Sequence, residues 1–197
     1  MLQERCGQAS PRRAKRNATR VKLLGLLRHA KSDWDDLSLR DFDRGLNARG
    51  RRGAALMGRH IGDHGERWDV ILASPAERVK RTLEASHLTI PVQWKQQAYL
   101  ADADALLELL RSIPDEPASV LLVGHNPGLQ ELVFKLVPPA EENALSAEAA
   151  EKYPTATYAV MELAIDRWED CAPGCGKLIH FTRPRDLDPD LGPDGRS

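Results

Sequence analysis

The fold is decided at "VKLLGLLRHA", residues 21–30. Val21–Leu27 is a short, nearly continuous apolar run, the pattern of a strand covered on both faces. It ends on Arg28 and His29, two side chains that are awkward to bury. Two later runs, "WDVILA" (68–73) and "SVLLVG" (119–124), have the same character. Helical patterns separate them. From Asn47 to His64, Gly50, Ala54, Met57 and Ile61 recur at helical spacing, and Gly65 is placed to end the helix. In "SPAERVKRTLEASHL" (74–88), Ser74 reads as the N-cap, Pro75 as the first helical residue, and Glu77 completes a capping box with Ser74.

Further along, "VQW" (92–94) reads as a short strand and "ADALLELLRS" (103–112) as a short amphipathic helix. "NPGLQELVFKLV" (126–137) places Leu129, Leu132, Val133 and Leu136 on one face. Two late strands, "TYAVMELAI" (157–165) and "GKLIHF" (176–181), read as a hairpin across "DRWEDCAPGC". Residues 29–46 read as a loop and 138–153 as a loop or lid. Strands alternating with helices predict an α/β three-layer sandwich. Its central sheet is mostly parallel, with helices on both faces and antiparallel strands late in the chain. One domain is expected over residues 21–183.

Composition narrows the function. A chain of 197 residues suits a single domain. Apolar residues at 42% support a core, but the longest runs, such as Val120–Val123, are far too short to span a bilayer. Lys plus Arg (28) nearly balance Asp plus Glu (29), which argues against nucleic acid as partner. The charge is uneven, however. Residues 1–22 hold seven basic side chains, from Arg5 to Lys22, against the single acid Glu4, with no apolar segment that would make a secretory signal. Residues 1–20 are expected to be a disordered basic extension; a transit peptide or sequence upstream of the true start fits the same residues. The Pro-, Gly- and Asp-rich end reads as a disordered tail from residue 184 to 197. Cys6, Cys171 and Cys175 are too few for a disulfide framework, and one Cys pair without a second Cys or His pair is a weak zinc signal. A cytoplasmic location fits this usage.

The chemistry lies just past the end of each buried strand. Arg28-His29 comes after the first. Ser74-Pro75 comes after the second, with Arg78 in the next helix. Gly124-His125-Asn126-Pro127 comes after the third. Open α/β sheets bind ligands beyond the carboxyl ends of their strands. Helix N-termini favour anions, and arginine forks match phosphate oxygens. A single histidine after a strand is usually structural, and an arginine in a first helical turn usually faces solvent. That arginine opposes the helix dipole unless an anion is shared by both. Three strand ends showing the pattern together point to a phosphate pocket.

The combination and order of these residues resembles the histidine phosphatase superfamily, the phosphoglycerate-mutase-like group. "LLRHAKSDW", "RDFDRGLNARGRRGA", "SPAERVKRT" and "LLVGHNPGLQELV" are similar to the short SixA-type phosphohistidine phosphatases, over roughly residues 21–165. The resemblance implies that His29 is the nucleophile, forming a phosphohistidine intermediate. Arg28, Arg78 and His125 then hold the phosphoryl oxygens. It implies no metal and no cofactor, since arginines supply the charge that magnesium supplies elsewhere. The nucleophilic imidazole must be neutral, and the two flanking arginines are expected to depress its pKa. His125 is expected to be protonated when phosphate binds.

Arg44 and Asn126 form a second tier of candidate binding residues. Relatives usually carry Asp-x-x-Arg-Pro-Leu where this chain has "DFDRGL", so Gly45 replaces a proline and loosens the loop. Arg44 touches the phosphate rim or substrate on one reading and pairs with Asp41 or Asp43 on the other. Asn126 orients His125 or caps the next helix, and Lys31 and Trp34 line the pocket mouth or lie on a solvated loop. No general acid is evident, because Asp102 and Asp104 read better as the start of a helix. The implied substrate is a phosphohistidine protein, the alternative a small phosphomonoester. A phosphate-binding module without turnover is the non-enzymatic alternative. No membrane partner is expected, and the oligomeric state is left open.

Overall fold

The computed structural model describes residues 21–192, so the expectation for residues 1–20 lies outside the described residues. Six strands form one sheet: β1 (Lys22–Arg28), β2 (Val70–Ala73), β3 (Val92–Trp94), β4 (Ser119–Gly124), β5 (Tyr158–Leu163) and β6 (Gly176–Thr182). Their order across the sheet is β3-β2-β4-β1-β5-β6. The β3–β2, β2–β4 and β4–β1 pairs are parallel, whereas β1–β5 and β5–β6 are antiparallel. The expected α/β architecture with a late antiparallel hairpin is therefore observed.

The central strands are apolar on both faces because helices cover both. On one side, α1 (Ala48–Asp63) and α2 (Glu77–Ser86) bury Met57, Ile61, Val79 and Leu83 against Leu27, Ile71, Leu121 and Val123. On the other side lie α3 (Ala103–Arg111), α4 (Gly128–Leu136) and α5 (Ala144–Glu151). Their leucines close over Leu24, Leu26, Leu72 and Leu122. Glycine sets how closely α1 can approach its neighbours. A Cβ on Gly58 would clash with the Ser86 carbonyl, and one on Gly50 with the Lys31 carbonyl, both backbone atoms. The second contact ties the start of α1 to the chain just beyond His29.

Three expectations need correction. Residues 138–153 are not an open loop. They hold a 3-10 turn at Pro139–Glu141 and then α5, whose Asn143 cap accepts from the Leu145 and Ser146 amides. The chain from residue 184 onward is ordered through Gly192. It forms α6 (Pro184–Leu187) and a 3-10 turn at Pro189–Leu191, anchored by the Arg183–Asp186 pair and by buried Leu191. The helix expected at Ser74 starts at Glu77, with Ala76 at the cap position and no side-chain cap. Ser74 is used elsewhere. Among the described residues, no helix is long and apolar enough to cross a membrane.

Candidate active site

Sheet register brings the three strand ends level. Arg28 pairs with Gly124, and Ala73 pairs with Val123. The next residues therefore emerge side by side: the His29 amide donates to the Gly124 carbonyl (3.0 Å), and the Ser74 amide to the Val123 carbonyl (3.0 Å). His29, Arg78 and His125 are all buried, and the His29 and His125 rings lie 5.1 Å apart.

His29 Nδ1 lies 2.8 Å from its neighbour's carbonyl, Ala30 O. A carbonyl only accepts, so Nδ1 carries the proton and Nε2 keeps a free lone pair. Burial is the main force pushing the His29 pKa down to about 3, with His125, Arg78 and Arg28 adding to it and the Ala30 hydrogen bond opposing. The arginines thus act as expected but are not the leading cause.

His125 is held from both sides. Its Nδ1 lies 3.1 Å from Arg78 Nη2 and its Nε2 lies 2.8 Å from Ser74 Oγ. A guanidinium only donates, so Nδ1 accepts and Nε2–H donates to the serine. Burial, and then Arg78, push the His125 pKa down to about 3. Protonation on phosphate binding would therefore require Arg78 to release Nδ1.

Arg28 Nη1 donates to the Tyr153 carbonyl (2.7 Å), while its buried Nε has no hydrogen-bond partner among the described residues. Arg78 is more heavily used. Nη1 donates to the Asp41 carbonyl (2.6 Å), and Nη2 pairs with the Asp41 carboxylate (3.0 Å). That carboxylate also accepts from the Tyr99 hydroxyl (2.8 Å). Partial burial alone would raise the pKa of Asp41, but Tyr99 and Arg78 outweigh it and hold the carboxyl below its ordinary value.

The second-tier expectations fare differently. Arg44 pairs with neither candidate, because Asp41 is taken by Arg78 and Asp43 by Arg40. Arg44 instead stacks on Trp34 at 4.0 Å, and its buried Nη1 has no hydrogen-bond partner among the described residues. The ring nitrogens of His125 meet Arg78 and Ser74 and not the Asn126 side chain, and α4 begins after Pro127 with no side-chain cap. Asn126 Nδ2 donates to Gln130 (3.2 Å) and to the same Tyr153 carbonyl that receives Arg28 (3.1 Å). Asp102 caps α3, and Asp104 pairs with Lys135, so neither enters the site.

Asp41, Tyr99, Ser74 and Tyr153 are the members that sequence reasoning missed or misassigned. Asp41 stands in "RDFDRG" beside Arg44, the more conspicuous phosphate ligand by residue type. Tyr99 and Tyr153 come from irregular segments that carry no periodic signal.

A cavity of about 280 Å³ is walled by Ala30, Lys31, Arg49, Lys152, Thr155 and Arg185; Ala30 follows His29 in the chain, but Arg28, His29, Arg78 and His125 do not line it. Cys171 and Cys175 lie in the β5–β6 connection with their sulfurs 3.9 Å apart. Among the described residues, no group of three His, Cys, Asp or Glu side chains is arranged to hold a metal ion.

An α/β sandwich with two histidines and two arginines at its strand ends is the frame of a phosphate-handling hydrolase. The model of the histidine phosphatase superfamily (branch 1) matches residues 24–106. The Mycobacterium tuberculosis protein Rv1276c, itself uncharacterised, is 34% identical over 160 residues, spanning 81% of this chain and all of the relative. Among the solved structures that match over most of their length, two are provisionally named phosphohistidine phosphatase SixA. The one from Agrobacterium tumefaciens is 31% identical, with a TM-score of 0.69 over 83% of this chain and 98% of the other. The one from Nakamurella multipartitia is 26% identical, with a TM-score of 0.74 over 83% and 96%. The chain belongs to the histidine phosphatase superfamily, with a SixA-type fold, and is a phosphatase.

Proposed function

We propose that the protein is a metal-independent phosphohistidine phosphatase acting through a phospho-His29 intermediate. In the first half-reaction, the lone pair on His29 Nε2 attacks phosphorus. The substrate P–N bond breaks, and the substrate imidazole leaves as a neutral ring if its second nitrogen carries a proton. In the second, water attacks the phosphoenzyme, the bond to His29 breaks, and phosphate departs. Arg28 and Arg78 hold the phosphoryl oxygens and stabilise charge in the transition state. His125 joins them once Arg78 turns from its Nδ1 to the phosphoryl group. These arginines supply the charge that a metal ion supplies in other phosphoryl-transfer sites.

One observation carries the choice of substrate. In the phosphate-free site the Asp41 carboxylate is held in its ionised form by Tyr99 first and then by Arg78, and the Tyr99 hydrogen bond does not depend on Arg78. An ionised carboxylate cannot protonate a departing alkoxide, whereas a protonated phosphoimidazole needs no such help. The names of the Agrobacterium and Nakamurella relatives point the same way. A second reading, a phosphatase of small phosphorylated molecules, is favoured by the basic cavity lined by Lys31, Arg49, Lys152 and Arg185. It suits a substrate with a further anionic group.

A substrate panel with and without EDTA separates the readings. Phosphohistidine protein should be hydrolysed faster than alkyl phosphomonoesters by about 100-fold, the scale of one general acid, with no loss in EDTA. Equal rates on both substrates would reject the phosphohistidine assignment, and loss in EDTA would reject the metal-free mechanism. An acid-labile, base-stable phosphoryl label should form on the wild type and be absent from His29→Ala.

A further inference from the structure

Residues 33–45 form a loop whose ends are pinned together and which carries a 3-10 turn, Asp41–Asp43, against Arg78. Ser32 bridges to Leu46, and the Asp33 amide donates to the Gly45 carbonyl (3.0 Å). Between these anchors the loop is mostly solvent-facing, with Trp34, Leu37 and Leu39 exposed. Two side chains attach its middle to the rest of the site. Phe42 packs edge-on against Tyr99 at 5.0 Å, and Asp41 reaches Arg78 and Tyr99.

The Asp41 contact resembles bound phosphate in its donors. Both terminal nitrogens of Arg78 are spent on Asp41, one on its carbonyl and one on its carboxylate, and the second nitrogen also serves His125. The Arg78 side chain is 5% exposed and the Asp41 side chain 47% exposed. The arginine is thus fixed and dry, while the carboxylate has water to return to. Releasing Asp41 costs little desolvation, and a phosphoryl dianion brings more charge and more acceptor oxygens to the same fork.

Resting on the phosphatase reading above, we infer that Asp41 is a resident counter-anion that competes with the phosphoryl group for Arg78. It neutralises the buried guanidinium in the empty site, is displaced when the phosphoryl group arrives, and returns as inorganic phosphate leaves. Tyr99 holds the carboxylate in place for that return. Asp41 is a positioning residue on this account, since it touches Arg78 and not the reacting atoms.

The sign of one measurement separates competition from simple support. If Asp41 merely props Arg78, removing its charge weakens phosphate binding. If it competes, removing its charge tightens binding. The test is calorimetric titration of inorganic phosphate at pH 7.5 into the wild type, Asp41→Asn, Asp41→Ala and Tyr99→Phe, with thermal melting to show that each variant is folded. Both Asp41 variants should bind phosphate about tenfold more tightly, and Tyr99→Phe should shift in the same direction by less. Unchanged or weaker binding in both Asp41 variants, with the wild type binding normally, overturns the counter-anion role and leaves the phosphatase reading standing. Absence of phosphate binding in all four proteins overturns the phosphatase reading and the inference together.

Discussion

Two histidines that would titrate near pH 6.5 in a free chain are pushed down to about 3 at this site, chiefly by burial. Both rings are therefore neutral throughout the physiological range. For His29 this is the state that its proposed role as nucleophile requires. Nitrogen-detected NMR of the imidazoles should show neither His29 nor His125 titrating between pH 5 and 8 in the phosphate-free protein. A midpoint near 6.5 for His29 would reject the burial account. At this scale the residue types were legible, since Arg28, His29, Arg78 and His125 could be picked out by tracing strand ends. Their hydrogen bonds were not. Ser74 has the local signature of a helix cap, yet its hydroxyl lies 2.8 Å from His125 Nε2, a partner 51 residues away.

Secondary structure elements meet through polar contacts as well as leucines. On the face covered by α1, His60 and His64 are one turn apart and both reach His180 of β6. The His60 Nε2–His180 Nε2 distance is 3.0 Å and the His64 Nε2–His180 Nδ1 distance 2.9 Å. Thr182 Oγ1 lies 2.8 Å from His180 Nε2, the Tyr158 ring flanks the cluster, and Asp63 is the nearby acid that favours protonation of His60. Burial, then His64 and His60, push the His180 pKa to about 4, and burial and His64 lower that of His60. Because these folded-state values lie below the unfolded one, the unfolded chain binds more protons at acid pH. Stability from this cluster is present above about pH 6.5 and is lost as pH falls toward 4, in the same direction as for His29 and His125. The urea midpoint should thus fall between pH 7 and pH 5, and His180→Gln should fall less steeply. Identical slopes would show that the cluster does not contribute. The elements themselves were readable from period and strand length, whereas this pairing of α1 with β6 spans 116–120 residues and leaves no local trace.

The whole molecule is larger at its C-terminal end than composition suggests. "RDLDPDLG" reads as polar punctuation, yet Arg52 pairs with Asp188, the Arg49 guanidinium donates to the Leu191 carbonyl (2.7 Å), and Leu191 is buried. These contacts fasten α6 and the turn after it to the start of α1, which in turn backs the chain beyond His29. Ending the protein at Arg183 should lower its melting temperature by roughly 5 °C, the scale of one to two kcal/mol in a domain of this size. An unchanged melting temperature would place the edge of the cooperative unit where composition had put it.

Residue order alone was enough for the α/β architecture, the parallel centre, the late hairpin and the gathering of two arginines and two histidines at strand ends. These features arise from short-range rules. Burial on both faces reads as an apolar run, and a parallel sheet delivers the ends of its strands to one edge. Tertiary structure decided which side chains meet there. Asp41 and Arg78 are 37 residues apart, and Asp41 and Tyr99 are 58 apart. The contact is made by a three-residue 3-10 turn, Asp41–Asp43, in a loop held at its ends and by a helix start, and neither is long enough for a period that registers its side chains against the other. The arrangement that pairs Arg78 with Asp41 and keeps that carboxylate ionised is therefore a product of packing.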